Sequence, residues 1–146
     1  MPLYELHDRP ELDGPVLVVA LEGWIDAGFG AARALQVLLE QSETDLVATF
    51  DSDALLDYRA RRPTLHLVDG LNTGLTWAST ELRALRSPNG TAVLLLAGAE
   101  PDHAWRAFAD DVRDLCAELG CRMQLGLGAY PAGVPHTRPV ALSSTA

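Results

Sequence analysis

The chain has 146 residues and a formal net charge of -9, from 11 basic and 20 acidic residues. With 48% hydrophobic and 21% charged residues, it has the composition of a soluble globular protein, which excludes a disordered or fibrous chain. The acidic balance argues against nucleic-acid and membrane partners, because binding to phosphate needs clustered positive charge. No apolar run approaches the roughly 20 residues of a membrane helix, and no secretory signal is visible, so we expect a cytoplasmic protein.

Every basic residue is an arginine, and the chain contains no lysine. This excludes any mechanism that needs a lysine of this chain, including Schiff-base chemistry and the lysine of a phosphate-binding loop. The two cysteines, Cys116 and Cys121, are too few for a disulfide scaffold and lack the spacing of zinc ligands. We predict that both are buried thiols.

Apolar runs alternate with helical patterns along the chain, which is typical of an α/β fold. Residues 15–21 are continuously apolar and suit a strand that is covered on both faces. Asp26 can cap the next helix, so residues 15–50 are predicted to form a βαβ unit with a parallel strand pair. The predicted strands are 15–21, 45–50, 64–68, part of 75–86, 91–97 and 122–127, and the predicted helices are 26–41, 51–62 and 102–119.

These elements predict a fold of three layers, with a mostly parallel sheet between helices. Residues 87–90, Ser-Pro-Asn-Gly, are predicted to form a turn. We expect residues 1–146 to form a single α/β domain. The segment 140–146 begins an element without closing it, so we also expect the chain to be truncated at the C-terminus of a longer domain.

Ligands of a parallel α/β sheet bind beyond the carboxyl ends of its strands. Gly23 and Gly28 have the glycine spacing of a phosphate-binding loop, but Phe29 and Gly30 replace its lysine and hydroxyl residue. Asp26 would also repel a phosphate at that position. No dinucleotide-binding glycine pattern is complete, so we do not predict nucleotide binding by a known loop.

Three aspartates that follow the second predicted strand have a functional and a structural interpretation. Asp51, Asp53 and Asp57 are suited to Mg²⁺, but they also suit the start of a helix, where negative charge is favoured. The structural interpretation is preferred, with Asp57 pairing with Arg61 four residues later.

Trp24, His136 and Arg138 also lie where strands of the predicted sheet end. His136 and Arg138 are in a proline-bounded loop, either as an acid/base and anion-binding pair or as part of a rigid surface loop. Trp24 either covers the end of the sheet or forms part of a partner surface, because aromatic residues are favoured anchors at interfaces.

Residues 21–28, Leu-Glu-Gly-Trp-Ile-Asp-Ala-Gly, resemble the Gly-Trp-x-Asp-Ala-Gly signature of the proteasome assembly chaperone family, in its bacterial, actinobacterial-type branch. Residues 69–77, 126–131 and 135–139 are similar to the same branch. The resemblance implies a fold like that of nucleoside phosphorylases. It also implies oligomers that help proteasome subunits to assemble without performing chemistry.

Three hypotheses follow, of which the weakest is a subunit with a purely structural role in an oligomer. The first is a non-catalytic, homo-oligomeric protein-binding factor that assists assembly of a multi-subunit complex, has proteasome subunits as candidate partners and needs no cofactor or metal. The alternative is a protein or enzyme that binds a nucleoside-like or phosphate-like small molecule. No catalytic residue is assigned, and the candidate binding residues are Glu22, Gly23, Trp24, Asp26, Gly28, Tyr130, His136 and Arg138.

Overall fold

A computed structural model describes residues 1–87 and 89–145. The described residues form strands β1 (Tyr4–Leu6), β2 (Val16–Glu22), β3 (Thr44–Phe50), β4 (Thr64–Val68), β5 (Leu71–Thr76), β6 (Thr80–Arg86), β7 (Ala92–Ala99) and β8 (Met123–Gly126), and helices α1 (Gly30–Glu40), α2 (Ser52–Leu55) and α3 (Trp105–Glu118). No helix among these residues is long and apolar enough to cross a membrane.

Six of the strands form one sheet, in the order β1-β3-β6-β7-β2-β8. The pairs β7–β2 and β2–β8 are parallel, whereas β1–β3, β3–β6 and β6–β7 are antiparallel. The predicted α/β class is therefore confirmed, but the sheet is mixed rather than mostly parallel. The difference arises from β6, which lies between β3 and β7 and runs against both.

The first predicted βαβ unit needs a correction. β2 and β3 run in the same direction, but β6 and β7 lie between them, so they are not the parallel pair that was predicted. The parallel neighbours are β7, β2 and β8. β2 and β7 are apolar and buried along most of their length, and a strand covered on both faces belongs at the centre of a sheet.

Helices cover both faces of the sheet and give the predicted three layers. Phe108 and Leu115 of α3 pack against Leu17 of β2 and its neighbours on one face. On the other face, Ala31 and Leu35 of α1 pack with alternate residues of the same strands. The alternation along β2 and β7 thus divides their apolar side chains between two cores.

All three helices are shorter than predicted, and at the start of α3 the reason is that backbone N–H groups bond outside the helix. Asp102 and His103 donate to the Leu55 carbonyl oxygen, at 2.8 and 3.0 Å, so α3 begins only at Trp105. α2 has four residues because Leu56 is already extended, at φ -112° and ψ 142°.

A separate two-stranded sheet is formed by β4, which matches its prediction, and β5. Asp69 and Gly70 join them with φ angles of 51° and 80°, as a tight type I′ turn requires. In the predicted turn at 87–90, the Gly90 N–H donates to the Ser87 carbonyl oxygen at 2.8 Å, while Pro88 lies outside the described residues.

Candidate functional site

Four strands, β3, β7, β2 and β8, end at the same edge of the sheet, which we call the rim. The residues after these strands were the ones predicted to meet at a common edge. In parallel register, Glu22 at the end of β2 lies beside Ala99 at the end of β7. The topology therefore brings the segments after the four strands to one side of the molecule.

Asp26 organises the first rim loop, residues 23–29, and starts α1. Its Oδ1 accepts a hydrogen bond from the Ala31 N–H at 2.8 Å, and its Oδ2 accepts one from the Ala32 N–H at 2.9 Å. Asp26 is only 6% exposed, and its two carboxylate oxygens bind the free N–H groups of the helix start. The predicted capping role is confirmed, although the helix begins four residues after Asp26, at Gly30.

The first rim loop is bonded to the second, residues 127–130. The Ala27 N–H donates to the Ala129 carbonyl oxygen at 2.8 Å, and the Ala129 N–H donates to the Ile25 carbonyl oxygen at 2.9 Å. An added Cβ at Gly128 would lie 3.0 Å from the Ile25 carbonyl oxygen, so this glycine allows the two backbones to approach. The two loops thus form one fixed unit.

Glu100, which follows β7, holds the other end of the first loop. Its backbone N–H donates to the Glu22 carbonyl oxygen at 3.0 Å, and its carboxylate accepts a hydrogen bond from the Trp24 N–H at 3.0 Å. A Cβ at Gly23 would lie 2.0 Å from the Glu100 carboxyl carbon, so glycine leaves the space that this side chain occupies.

The fixed loops display large apolar side chains to solvent. Trp24 is 85% exposed, Phe29 73%, Tyr130 72% and Ile25 51%, and we call these four residues the rim patch. Phe29 also has φ 61°, a left-handed conformation that is costly for a bulky residue. A strained, exposed aromatic residue stabilises neither a helix nor a core, whereas rigidly held aromatic side chains are favoured at protein interfaces.

The predicted site residues divide into two groups. The structure brings those at 22–28 together in the first rim loop and sets Tyr130 beside it, directly after Ala129. His136 and Arg138 lie in an exposed segment without helix or strand, where the Arg138 N–H donates to the Pro135 carbonyl oxygen at 3.1 Å. Their side chains form no hydrogen bond or ion pair with another described residue.

The aspartates after β3 have structural partners in this part of the rim. The Asp51 carboxylate caps α2, and the Tyr58 hydroxyl donates to Asp53 at 2.8 Å. Hydrogen bonds from Arg59 lower the pKa of Asp57 to about 2. The predicted partner of Asp57 is wrong, because Arg61 pairs with Asp102 instead, at 3.3 Å.

The cavities described for the structure lie mostly away from the rim patch. A small enclosed cavity lies in the apolar core between the sheet and α3, lined by Leu17, Leu115 and Cys116 among others. Two open grooves lie beside residues 9–13 and along α1, and only the groove along α1 contains a predicted site residue, Glu22. None of these three cavities is lined by a residue of the rim patch.

Two contributors to the rim were not predicted from the sequence. Glu100 follows the strand predicted at 91–97, but only the fold shows that its carboxylate reaches the Trp24 backbone. Phe29 was noted only as a departure from a phosphate-binding loop. A large apolar residue next to two glycines before a helix was a usable signal, because such a residue has no place in the core.

Comparison with known proteins places this architecture in a family. The solved structure of a Mycobacterium tuberculosis protein of unknown function is 46% identical and has a TM-score of 0.86, over 93% of this chain and 50% of that one. A Corynebacterium glutamicum protein of unknown function is 36% identical with a TM-score of 0.88, over 94% and 53% of the chains. A proteasome-assembly chaperone homologue of Mycobacterium tuberculosis is 35% identical with a TM-score of 0.78, over 85% and 53%.

The chain thus spans about half the length of the solved structures that it matches. No curated protein matches it. The resemblance to proteasome assembly chaperones of actinobacterial type is confirmed by these relatives. Because the model of the PAC2 family matches residues 20–146, the chain belongs to the PAC2 family.

Proposed function

We propose that the protein is a non-catalytic binding factor that helps the subunits of a multi-subunit complex to assemble, with proteasome subunits as its first candidate partners. The rim patch carries this proposal: four exposed apolar side chains on two loops that are bonded to each other and to β7. The related protein described as a proteasome-assembly chaperone homologue supports the choice of partner.

The two rim loops are preorganised for binding. Binding energy is lost when flexible loops must be ordered at an interface, and a loop that is already fixed avoids that loss. Hydrogen bonds to the Asp26 and Glu100 carboxylates and with the Ala129 backbone fix the loops, while the side chains of Trp24 and Phe29 remain free to enter pockets on a partner. We expect the complex to form in the cytoplasm, where subunits fold.

A direct test is capture of purified proteasome α and β subunits from an actinobacterium on the immobilised protein. Trp24→Ala should reduce retention at least tenfold, because it removes the most exposed anchor of the rim patch. Met123→Ala is the control, since Met123 is an exposed apolar residue at the start of β8, at the edge of the sheet opposite the rim. Equal retention by wild type and Trp24→Ala, or no retention by wild type, would refute the proposal.

A further inference from the structure

The two cysteines of the chain lie together where α3 ends. Gly120 has φ 69°, the left-handed conformation with which many helices end. The Cys121 N–H donates to the Cys116 carbonyl oxygen at 2.9 Å, and the Gly120 N–H donates to the Ala117 carbonyl oxygen at 3.4 Å. These two bonds form a Schellman motif, in which the residue after the glycine contacts the residue that accepts its hydrogen bond. In this chain both of those residues are cysteines.

The Schellman motif holds the two cysteines within the range of a disulfide. The bonded nitrogen and oxygen each lie close to their own Cα, so the N···O distance of 2.9 Å limits the separation of the two Cα atoms to about 6.8 Å. A disulfide accepts Cα separations of about 4.4–6.8 Å. The two thiols are also hydrogen-bonded to each other, so their side chains point into the same space.

The surroundings of the thiols favour a bond between them over a lasting bond to another molecule. Both are half-buried and pack against the core cluster that contains Leu115 and Leu119. A mixed disulfide would add atoms to this packed region, whereas an internal disulfide adds none. The small apolar cavity lined by Cys116 also leaves space for its side chain to rotate toward Cys121.

We propose that Cys116 and Cys121 form a redox-active dithiol, which a low-molecular-weight disulfide such as oxidised glutathione converts into an internal disulfide. The Cys121 thiolate attacks one sulfur of the reagent, forms a mixed disulfide and releases one thiolate. The Cys116 thiolate then attacks the Sγ of Cys121 and releases the second thiolate. The two released thiolates take up the two protons that the cysteines lose, so the protein gives up two electrons and the reagent becomes two thiols.

The hydrogen bond between the thiols favours Cys121 as the attacking residue. Burial raises the pKa of both thiols, and their hydrogen bond raises the pKa of Cys116 further but lowers that of Cys121. Little thiolate is present at neutral pH, so we expect the reaction to be slow there and faster in mildly alkaline buffer. The proposal does not rest on the proposed binding function, since neither cysteine belongs to the rim patch.

Mass spectrometry after equilibration with oxidised glutathione in mildly alkaline buffer tests the proposal. Cleavage after Arg113 and Arg122 gives one peptide, residues 114–122, that contains both cysteines. In the wild type this peptide should lose two hydrogen atoms and carry no glutathione. Cys121→Ser is the matched control, because it leaves one thiol that cannot form an internal disulfide. An unchanged wild-type peptide, or one that carries two glutathione molecules, would overturn the proposal.

The same equilibrium in the folded and the unfolded chain tests the role of the Schellman motif. The ratio of disulfide to dithiol should be at least tenfold higher in the native protein than in concentrated urea, because only the fold holds the two residues together. By linkage, the disulfide form should then unfold at a higher urea concentration than the dithiol form. Far-ultraviolet circular dichroism checks that each form is folded. An equal or lower ratio in the native protein would overturn the proposal.

Discussion

The Glu100 carboxylate accepts a hydrogen bond from the backbone N–H of Trp24, at 3.0 Å, while Trp24 remains 85% exposed. Glu100 thus fixes the backbone of Trp24 and leaves the tryptophan exposed to solvent. We expect Glu100→Ala to weaken partner binding several-fold, because the loop must then be ordered at the interface.

Gly23→Ala should have the same effect as Glu100→Ala. Its Cβ would occupy the position of the Glu100 carboxyl group, which must swing away and lose the bond to Trp24. The two changes together should be little worse than either alone, since both break one contact. Calorimetric titration with the captured subunit measures the effect, and strictly additive losses would contradict it.

Replacing Asp26 should destabilise the fold more than it affects recognition. Asp26→Ala leaves the N–H groups of Ala31 and Ala32 without their acceptor, at an expected cost of about 2 kcal/mol in the free energy of unfolding. Asp26→Asn keeps one acceptor oxygen and should lose about half as much. Urea denaturation measures both, and an unchanged midpoint for Asp26→Ala would contradict the capping role.

The strained backbone at Phe29 predicts opposite effects on stability and binding. Phe29→Gly should stabilise the fold by about 1 kcal/mol, because glycine adopts φ 61° without strain. Phe29→Ala is the control, since it removes the ring but keeps a Cβ at that φ. Both variants should bind the partner more weakly, whereas only the glycine variant should raise the denaturation midpoint.

The pairing of Asp57 with Arg59 predicts that the contribution of Asp57 to stability changes with pH in the acid range. The pKa of Asp57 in the fold is about 2, below its ordinary 3.8, so the unfolded chain takes up this proton first as the pH falls. The stabilisation by this carboxylate is therefore complete above about pH 4 and is lost as the pH falls from about 4 to about 2.

Carboxyl NMR titration measures this shift. Arg59→Gln should return the Asp57 pKa toward its ordinary value, because the hydrogen bond from the guanidinium group is its main cause. Arg62→Gln should leave it unchanged, since Arg62 is not bonded to Asp57. A raised pKa of Asp57 in the Arg62 variant would contradict the assignment.

Burial raises the pKa of Cys116 to about 12, with a further contribution from Cys121. Both thiols are free and partly buried, whereas sequence analysis predicted that both are buried. Cys116 of α3 packs against the apolar core, which agrees with the predicted helical pattern.

The sequence alone predicted the features that depend on residues close to each other along the chain. Continuous apolar runs identified β2 and β7, helical spacing identified α3, and an aspartate before a helix predicted the cap at Asp26. The dipeptide Asp69-Gly70 carried a turn signal that also predicts the β4–β5 hairpin, although it was used only for the family resemblance.

Only the tertiary structure decided the order of strands and the role of the rim. β6 forms an antiparallel hairpin with β7 across the turn at 87–90, and it separates β7 from β3 because it also pairs with β3, a partner distant in sequence that local periodicity does not encode. For the same reason the bond from Trp24 to Glu100, 76 residues apart, was outside any local pattern. Composition and periodicity determine which side chains can be buried; the path of the chain in space determines which polar groups meet and which aromatic residues are left facing solvent.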